Sequence, residues 1–392
     1  MSEINDHFAS LRDSVLEVSR IFAFSRLLVL LIVVFCSTLA FDAVPAREGI
    51  NYNPLSLAEG VSIAERLETV LRSADASWYL ELASTGYQPG PFTDQEAHNW
   101  VFFPLYPLLI RSLTALGVGA LTAAILISNV CFFLALFTLH RFAVLLGYSA
   151  EKVRLALWSI ALFPTTYFFS TPQTEALFLL LTAVSFYLIA RDKILGSGVA
   201  FALAALTRPT GVLLVPAYTY YLWTRNQLFT RRGIAALLFT VLALAAFGAY
   251  LHQLTGNPFA CIENQSAWGR ELLGTTENYS ATWLDLDSMM RPWNFVGLNL
   301  LVGFLSLATA VYFGWKREFT WCLLVAVPLF AAVSTGTLQS LCRIVMVLFP
   351  IHFALASWTR SLEAERMLIA VLAILLGLMS AMYALHVTVA MA

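Results

Sequence analysis

Stretches of about twenty apolar residues recur along the whole chain, and they constrain its fold more than any other feature. Each stretch is long enough to cross a hydrocarbon core of about 30 Å. Backbone N–H and C=O groups find no water in lipid, so unbroken stretches of this length predict membrane-spanning α-helices. Hydrophobic residues make up 59% of the chain and charged residues 12%, unlike a soluble domain. We therefore predict an all-α polytopic membrane protein with a single domain over residues 1–392.

The apolar pattern divides into eleven predicted spans. We place them at residues 27–44, 121–145, 153–169, 175–190, 197–206, 211–223, 234–254, 295–312, 319–335, 344–358 and 367–386. Residues 1–26 are polar with an amphipathic pattern, which predicts a helix lying on the membrane surface. Two connections are long, at residues 45–120 and 255–294. Within the first of them, the apolar pattern of 57–71 predicts an interface helix, and that of 102–111 predicts a second interface element or a re-entrant one.

Basic residues are distributed unequally between alternate connections. Fifteen of them, including all three lysines, fall on the side of the N-terminus, and eight fall on the other side. Under the positive-inside rule the richer side is cytoplasmic, which places the N-terminus inside and both long connections outside. The net charge of −1 offers no electrostatic footprint for a nucleic acid.

The five cysteines are scattered, mostly within apolar stretches, and no C-x-x-C pair occurs. This spacing argues against a disulfide scaffold or a zinc site. We expect no metal ligands and no cofactor.

Asp75 is the first residue that could carry chemistry. It directly precedes an aromatic helix with Trp78 and Tyr79, in the first long outer connection. A carboxylate just outside the bilayer could deprotonate the hydroxyl of a substrate carried by lipid. The alternative is a structural role as the N-cap of that helix, and the two roles can coexist.

Three further polar residues are predicted near the outer surface. His98 and Asn99 precede an apolar stretch that contains two prolines, and they suit either hydroxyl recognition or local loop hydrogen bonds. Glu175 opens a predicted span. It either lines an outer cavity or stabilises the N-terminus of its helix.

Arg208 and Arg343 lie on the outer side, against the charge bias of the chain. Ionisable residues at membrane depth are candidates for a functional site, and the fork of a guanidinium suits a phosphate anion. The alternatives are snorkelling to the surface or an ion pair with an outer carboxylate.

The second long connection contains Trp268 and Arg270 among amide side chains, a mixture that resembles a sugar-binding surface. The alternative is an interface helix anchored by Trp268. Asp285 and Asp287 form a D-x-D pair, but no glycine-rich phosphate loop accompanies it. We therefore do not expect this pair to bind a metal.

Six short motifs occur in a fixed order between residues 75 and 350. They are Asp75-x-x-Trp78-Tyr79 leading to Gly86-Tyr87; His98-Asn99-x-x-Phe102-Phe103-Pro104; Glu175 before Ala176-Leu177-Phe178; Thr207-Arg208-Pro209-Thr210-Gly211; Gly256-Asn257-Pro258 with Trp268-Gly269; and Arg343 with Phe349-Pro350. Together they resemble the PIG-V family, the GPI mannosyltransferase II family with its bacterial relatives, which belongs to the GT-C glycosyltransferases. The chain departs from that family at Ala74, where a tryptophan is usual, and at Gln173-Thr174, where Tyr-Ser is usual.

The resemblance implies a GT-C-type helix bundle and an inverting mannosyl transfer on the outer face of the membrane. It implies polyprenyl-phosphate mannose as donor, a lipid or glycan acceptor, and membrane lipids as surroundings. It also implies Asp75 as general base and no nucleotide donor. No retention tail follows the last span, so we expect a bacterial inner membrane with a periplasmic site.

Three other functions are alternatives to this one. A GT-C enzyme that uses another polyprenyl-phosphate sugar is the nearest. A secondary transporter would predict internal repeats and helices broken at the midplane, and the sequence shows no repeat at a fixed period. A non-enzymatic assembly protein would tolerate the loss of Asp75.

Overall fold

The computed structural model describes residues 2–38, 62–268, 296–335, 338 and 340–385. All regular elements in these segments are helices. The first ten are α1 (Ser2–Thr38), α2 (Ile63–Leu71), α3 (Ala76–Thr85), α4 (Leu105–Ala115), α5 (Ala120–Leu145), α6 (Ala150–Ala161), α7 (Glu175–Ala190), α8 (Ile194–Ala205), α9 (Thr210–Leu213) and α10 (Val215–Thr224). The other seven are α11 (Arg231–Thr255), α12 (Ala260–Glu263), α13 (Val296–Trp315), α14 (Phe319–Val333), α15 (Leu341–Val345), α16 (Phe349–Trp358) and α17 (Leu362–Ala384).

Five helical segments are long and apolar enough to cross a membrane. They are Arg12–Thr38, Ala120–Leu145, Arg231–Thr255, Gly297–Trp315 and Leu362–Ala384. Three shorter apolar helices, α7, α8 and α14, accompany them. The prediction of an all-helical integral membrane protein is therefore confirmed, while the count of eleven spans stays a prediction.

Several predicted spans are shorter as helices than the apolar stretches that contain them. The helix α6, for example, has 12 residues and rises about 18 Å, because the chain leaves it after Ala161 for a 3₁₀ turn at Thr166–Ser170. Non-helical backbone at membrane depth is tolerated where protein surrounds it. Phe168 and Phe169, in this turn, are fully buried. The turn brings the chain to the functional site described below.

The sequence predicts two separate elements at the N-terminus, and the structure differs from this prediction. The amphipathic segment and the first span form one helix, α1, without a break at residue 26. The interior of the bundle is reached early in this helix, since Val18, Ile21 and Arg26 are all buried. The predicted surface segment therefore continues directly into the span.

The first long connection contributes three helices near the site, α2, α3 and α4. Ser62 and Glu65 form a capping box that starts α2, because each side chain accepts the backbone N–H of the other. The predicted element at 102–111 is a regular helix, α4, that follows Pro104. Pro107 is tolerated because it lies in the first turn, where its missing N–H has no intrahelical partner to lose.

The helices pack both against neighbours in the chain and against helices far from them in the sequence. The helix α7 lies between α5 and α8, and α11 covers the far side of α8. The helices α13 and α14 form another pair, and α1 packs along α17. This arrangement brings the first residues of α7, the end of α8 and the short helix α15 to one end of the bundle.

Gly198 marks a close contact between α8 and α11. A Cβ atom at this position would lie 2.5 Å from the Cα of Ala236 on α11 and 2.6 Å from its Cβ. Small residues allow membrane helices to approach this closely. We expect Gly198→Ala to lower the free energy of unfolding by about 1–3 kcal/mol, because the two backbones must separate.

The matched control is Gly196→Ala on the same helix, where the nearest atom to the new Cβ is the flexible Cδ1 of Leu188 at 3.4 Å. Thermal unfolding in detergent compares the two variants. Equal midpoints would show that α8 and α11 do not depend on this contact.

Candidate functional site

Asp75 occupies the N-cap position of α3, but its side chain makes no capping hydrogen bond. Its Oδ2 instead forms an ion pair with Nη1 of Arg343 at 2.7 Å. The preceding residue, Ala74, has a left-handed backbone with φ of 55°, a conformation that costs energy for a residue with a Cβ atom. The turn thus directs the carboxylate away from the helix end, and the N-cap alternative does not describe its side chain.

Arg343 is the centre of the cluster. It lies in the short helix α15, and its side chain is 5% exposed. Its three nitrogens are all engaged: Nη1 with Asp75, Nε with Oε1 of Glu175, and Nη2 with Oε1 of Gln173 at 2.7 Å. One face of the guanidinium also lies over the ring of Phe168, 4.5 Å from its centroid. This arginine is held rigidly on every side.

Glu175 is fully buried at the first position of α7. Its Oε1 accepts from Arg343 and also from Nη1 of Arg208. Two guanidinium groups and two carboxylates, including Asp75, therefore balance in charge. A buried carboxylate is tolerated only with such compensation, so the cluster is a structural unit as well as a candidate site.

Arg208 connects this charged cluster to α3. Its Nη1 also donates to Oγ1 of Thr174 at 3.1 Å, and the hydroxyl of Tyr79 lies 3.4 Å from the same Oγ1. Burial is the main reason why the pKa of Tyr79 lies well above its usual value, so its phenol stays neutral. A continuous network therefore joins Asp75 and Tyr79, four residues apart on one face of α3, through residues from three other parts of the chain.

The polypeptide beneath the cluster is fixed by buried hydrogen bonds between helices. The hydroxyl of Tyr106 on α4 donates to the carbonyl of Ala124 at 2.9 Å and contacts Oγ of Ser128 at 2.7 Å, both on α5. Ser128 in turn donates to the carbonyl of Gln173 at 3.2 Å. The segment before α7 is thus held by α4 and α5, which fixes the position of Glu175.

An aromatic group adjoins the network on α3. Trp78 stacks on Phe102 with ring centroids 5.8 Å apart, and Trp268 meets Trp78 edge-on at 5.2 Å. Tyr79 meets Phe102 edge-on, with ring centroids 5.1 Å apart. The structure therefore brings Trp78, Tyr79 and Trp268 together, although they come from the two separate long connections. The indole nitrogen of Trp268 is buried without a hydrogen-bond partner among the residues described.

His98 and Asn99 lie outside the charged network. Asn99 is buried and closes the loop before it, accepting from the backbone N–H of Gln88 at 3.1 Å and donating to the carbonyl of Gly86 at 3.3 Å. The ring of His98 stacks on Trp100 at 3.9 Å, and its Nδ1 lies 2.9 Å from Oε1 of Gln88. The local-loop interpretation describes Asn99 well. His98 retains a buried Nε2 with no partner in the described part of the chain.

Arg270 and the pair Asp285 and Asp287 lie outside the described residues. Within the described segments, no group of three or more His, Cys, Asp or Glu side chains is placed to hold a metal ion.

Two residues of the network were not predicted as site residues. Gln173 and Thr174 both contact the arginines, and the sequence signal for them is the polar triplet that they form with Glu175 directly before an apolar helix. Nε2 of Gln173 is also buried without a described partner, so this amide keeps one donor group free.

Arg26 is a third unpredicted residue, deep in the bundle on α1. Its Nη1 donates to the carbonyl of Thr166 at 2.6 Å, and its Nη2 donates to the carbonyl of Ala161 at 3.0 Å. Its guanidinium also lies 4.6 Å from the ring centroid of Phe132. No carboxylate among the described side chains pairs with it. The arginine secures both ends of the chain reversal between α6 and the 3₁₀ turn that carries Phe168.

Comparison with known proteins adds to this geometry. A family model described as Mannosyltransferase (PIG-V) matches residues 15–252 of the chain. The chain belongs to the PIG-V mannosyltransferase family. The resemblance inferred from the six motifs is thereby confirmed. The matched region contains Asp75, Glu175 and Arg208, whereas Arg343 and Trp268 follow it along the chain.

Members of the PIG-V family from animals are similar over part of their length. The GPI alpha-1,6-mannosyltransferase 2 of Rattus norvegicus is 28% identical over 185 residues, which covers 44% of this chain and 36% of that protein. The Homo sapiens protein of the same name is 29% identical over 189 residues, which covers 45% and 37%. The match therefore spans little more than a third of the length of these PIG-V relatives.

Two solved structures resemble the PIG-V chain described here at low sequence identity. ArnT from Cupriavidus metallidurans, bound to undecaprenyl phosphate, aligns with a TM-score of 0.48 and 14% identity, covering 77% of this chain and 58% of that one. The oligosaccharyltransferase of Archaeoglobus fulgidus, in complex with zinc and sulfate, aligns with a TM-score of 0.47 and 11% identity, covering 94% and 53%.

Proposed function

We propose that this protein transfers mannose from polyprenyl-phosphate mannose to a hydroxyl of a lipid-linked or glycan acceptor, with inversion at the sugar carbon and Asp75 as general base. The observation that carries the proposal is the exposure of Asp75. Its side chain is 31% exposed, whereas Glu175 is fully buried and Arg343 is 5% exposed. Of the two carboxylates in the network, Asp75 alone can reach a substrate.

The contacts of the Asp75 carboxylate suit a general base. Its Oδ2 is held by Arg343, while no hydrogen bond to Oδ1 occurs among the described residues. A general base needs a free lone pair within about 3 Å of the proton that it accepts. The ion pair orients the carboxylate, and Oδ1 remains available for the acceptor hydroxyl.

The transfer step balances without a further reactant. The acceptor oxygen attacks the anomeric carbon from the face opposite the phosphate, and a new C–O bond forms as the C–O bond to phosphate breaks. The acceptor proton passes to Asp75. The polyprenyl phosphate departs as an anion, which needs no protonation to be stable.

The two arginines divide the remaining roles. All three nitrogens of Arg343 are engaged, which favours positioning of Asp75 over contact with the donor. Arg208 uses only Nη1 in hydrogen bonds within the described part of the chain, so Nε and Nη2 can donate to a phosphate. We therefore assign the donor phosphate chiefly to Arg208.

The aromatic group next to Asp75 supports a role in sugar binding. The indoles of Trp78 and Trp268 present flat apolar surfaces beside the base, and the free indole N–H of Trp268 can donate to a sugar hydroxyl. His98 offers its unpartnered Nε2 in the neighbouring loop. On this proposal the site opens to the periplasmic side of a bacterial inner membrane, and the N-terminus lies in the cytoplasm.

The decisive experiment measures sugar transfer by the purified protein in lipid nanodiscs. Labelled polyprenyl-phosphate mannose is offered with a membrane-lipid extract, beside polyprenyl-phosphate glucose and GDP-mannose as alternative donors. We expect a mannosylated product from the first donor alone, with an anomeric configuration opposite to that of the donor.

Two outcomes would contradict the proposal. Transfer from the glucose donor at an equal or higher rate would reassign the sugar. The mannose donor could also stay intact and yield no product, yet pass between the leaflets of proteoliposomes. This result would show that the protein is a transporter and not an enzyme.

A further inference from the structure

A second polar feature lies at the opposite end of the bundle from the Asp75 network. It is a cleft of about 520 Å³, here called the basic cleft. Its lining includes Tyr148, Arg225, Lys316, Arg317, Glu318 and Phe319. These residues come from the ends of α5, α10 and α13 and from the start of α14.

Two helices establish the distance between the network and the cleft. The helix α7 begins with Glu175 in the network and runs away from it for 16 residues, about 24 Å. The helix α5 likewise passes the network near Ser128 and ends beside the cleft at Leu145 and Leu146. The basic cleft therefore belongs to the other membrane face and is separate from the proposed transfer site.

The charge of the cleft is predominantly positive. Arg225, Lys316 and Arg317 line it together with one carboxylate, Glu318. None of the three cations forms an ion pair within the described part of the chain. Two of them lie against aromatic rings instead: Nζ of Lys316 is 4.7 Å from the centroid of Tyr312, and Cζ of Arg225 is 5.6 Å from that of Tyr221. The rings orient the cations without neutralising them.

Exposed aromatic residues surround the cleft. Trp223 adjoins Arg225, Trp315 adjoins Lys316, and Phe319 lines the wall, and all three are exposed. Tryptophan and tyrosine collect where the hydrocarbon of a membrane meets its headgroups. This position places the cations at headgroup level, and it fits the prediction from charge bias that this face is cytoplasmic.

We propose that the basic cleft binds the phosphate headgroup of an anionic glycerophospholipid from the adjacent leaflet. Basic pockets between membrane helices at the cytoplasmic side suit such headgroups, because Lys and Arg attract the phosphate while apolar walls contact the acyl chains. A zwitterionic headgroup would bring its own cation toward the three basic side chains. This proposal is independent of mannosyl transfer and of the donor site at Arg208.

The test uses the full-length protein, purified in nanodiscs of equal parts phosphatidylglycerol and phosphatidylethanolamine and then analysed by native mass spectrometry. The triple variant Arg225→Gln, Lys316→Gln and Arg317→Gln removes the cations of the cleft. Each basic residue near an anionic lipid contributes about a fivefold factor in affinity. We therefore expect retention of phosphatidylglycerol to fall by about a hundredfold in the triple variant.

The matched control is Arg191→Gln, Lys193→Gln and Arg232→Gln. These residues are exposed and lie on the same predicted side, but none of them lines the cleft. This variant has the same net charge as the cleft variant and is expected to retain phosphatidylglycerol like the wild type. An equal loss in both triple variants would indicate a general surface effect and overturn the proposal.

Two other results would also overturn it. Equal retention of phosphatidylethanolamine and phosphatidylglycerol by the wild type would show that headgroup charge does not determine binding. Displacement of the lipid by millimolar inorganic phosphate would identify the cleft as a site for a soluble anion. Thermal unfolding of each variant, with a midpoint near that of the wild type, confirms that the measured protein is folded.

Discussion

Asp75→Asn is expected to lower the rate of mannosyl transfer by about 10²–10⁴-fold, the usual contribution of a general base. The amide has nearly the same shape as the carboxylate, so its oxygen can still face Nη1 of Arg343, although the ion pair is lost. It cannot take up the proton of the acceptor hydroxyl. The donor phosphate is assigned to Arg208, so the affinity for donor should remain close to that of the wild type. Single-turnover transfer and equilibrium binding of labelled donor measure the two quantities separately.

Glu81→Gln is the matched control for this variant. Glu81 lies on the same helix, α3, and is exposed to solvent outside the network. We expect it to leave both rate and binding unchanged. If Asp75→Asn keeps a rate within threefold of the wild type, Asp75 is not the base, and its role is limited to orienting Arg343. If donor binding falls together with the rate, Asp75 contributes to the donor site instead.

Glu175→Gln should have the largest effect on stability. Its carboxylate is fully buried and accepts from both Arg208 and Arg343, so its neutralisation leaves two guanidinium groups with Asp75 as the remaining anion. Removing one partner from a buried ionic cluster typically costs about 3–5 kcal/mol, because a desolvated charge is left without compensation. Thermal and denaturant unfolding in a fixed detergent measure the change.

The second variant in this test restores the charge balance. Glu175→Gln combined with Arg208→Gln leaves one cation and one anion, so we expect it to recover at least half of the lost stability. Glu151→Gln serves as control, since Glu151 is an exposed acidic residue in the first turn of α6 and reports any loss from helix-end electrostatics alone. Equal destabilisation by Glu151→Gln, or no recovery in the double variant, would show that the cluster is not held by charge compensation.

The sequence predicts which residues form the site better than it predicts which of them contact each other. Local signals are enough to single out Asp75, Glu175, Arg208 and Arg343, because a charged residue next to apolar stretches needs an explanation. Their pairing is not local: Arg343 meets Glu175 across 168 residues. Each arginine suits either a phosphate or a carboxylate in isolation. The ion pairs with Glu175 and Asp75 could therefore be recognised only once the helices had been placed.

The spans show a similar limit. Hydropathy marks α5, α11 and α17 clearly, because these helices cross the bundle without interruption. The predicted span also continues through the 3₁₀ turn at Thr166–Ser170, because its three central residues are aromatic although their backbone is not α-helical. An apolar stretch indicates that residues are buried, but it does not indicate their backbone conformation. Hydropathy therefore cannot show where a buried chain reverses its direction. The same limitation applies to α1, whose polar beginning predicts a separate surface element but is continuous with the span.

Arg26 has a consequence for the biosynthesis of the protein. The nearest of its carbonyl partners in the sequence, that of Ala161, is synthesised 135 residues later. At about 5–20 residues per second, the arginine waits roughly 7–27 seconds for that partner. An arginine at the centre of an inserting helix costs about 2.5–3.5 kcal/mol, and each of the nine apolar residues at 27–35 contributes about −0.3 to −0.6 kcal/mol. Their sum, about −3 to −5 kcal/mol, offsets the cost of the arginine, so these apolar residues help to keep the nascent helix in the bilayer until the partner is synthesised.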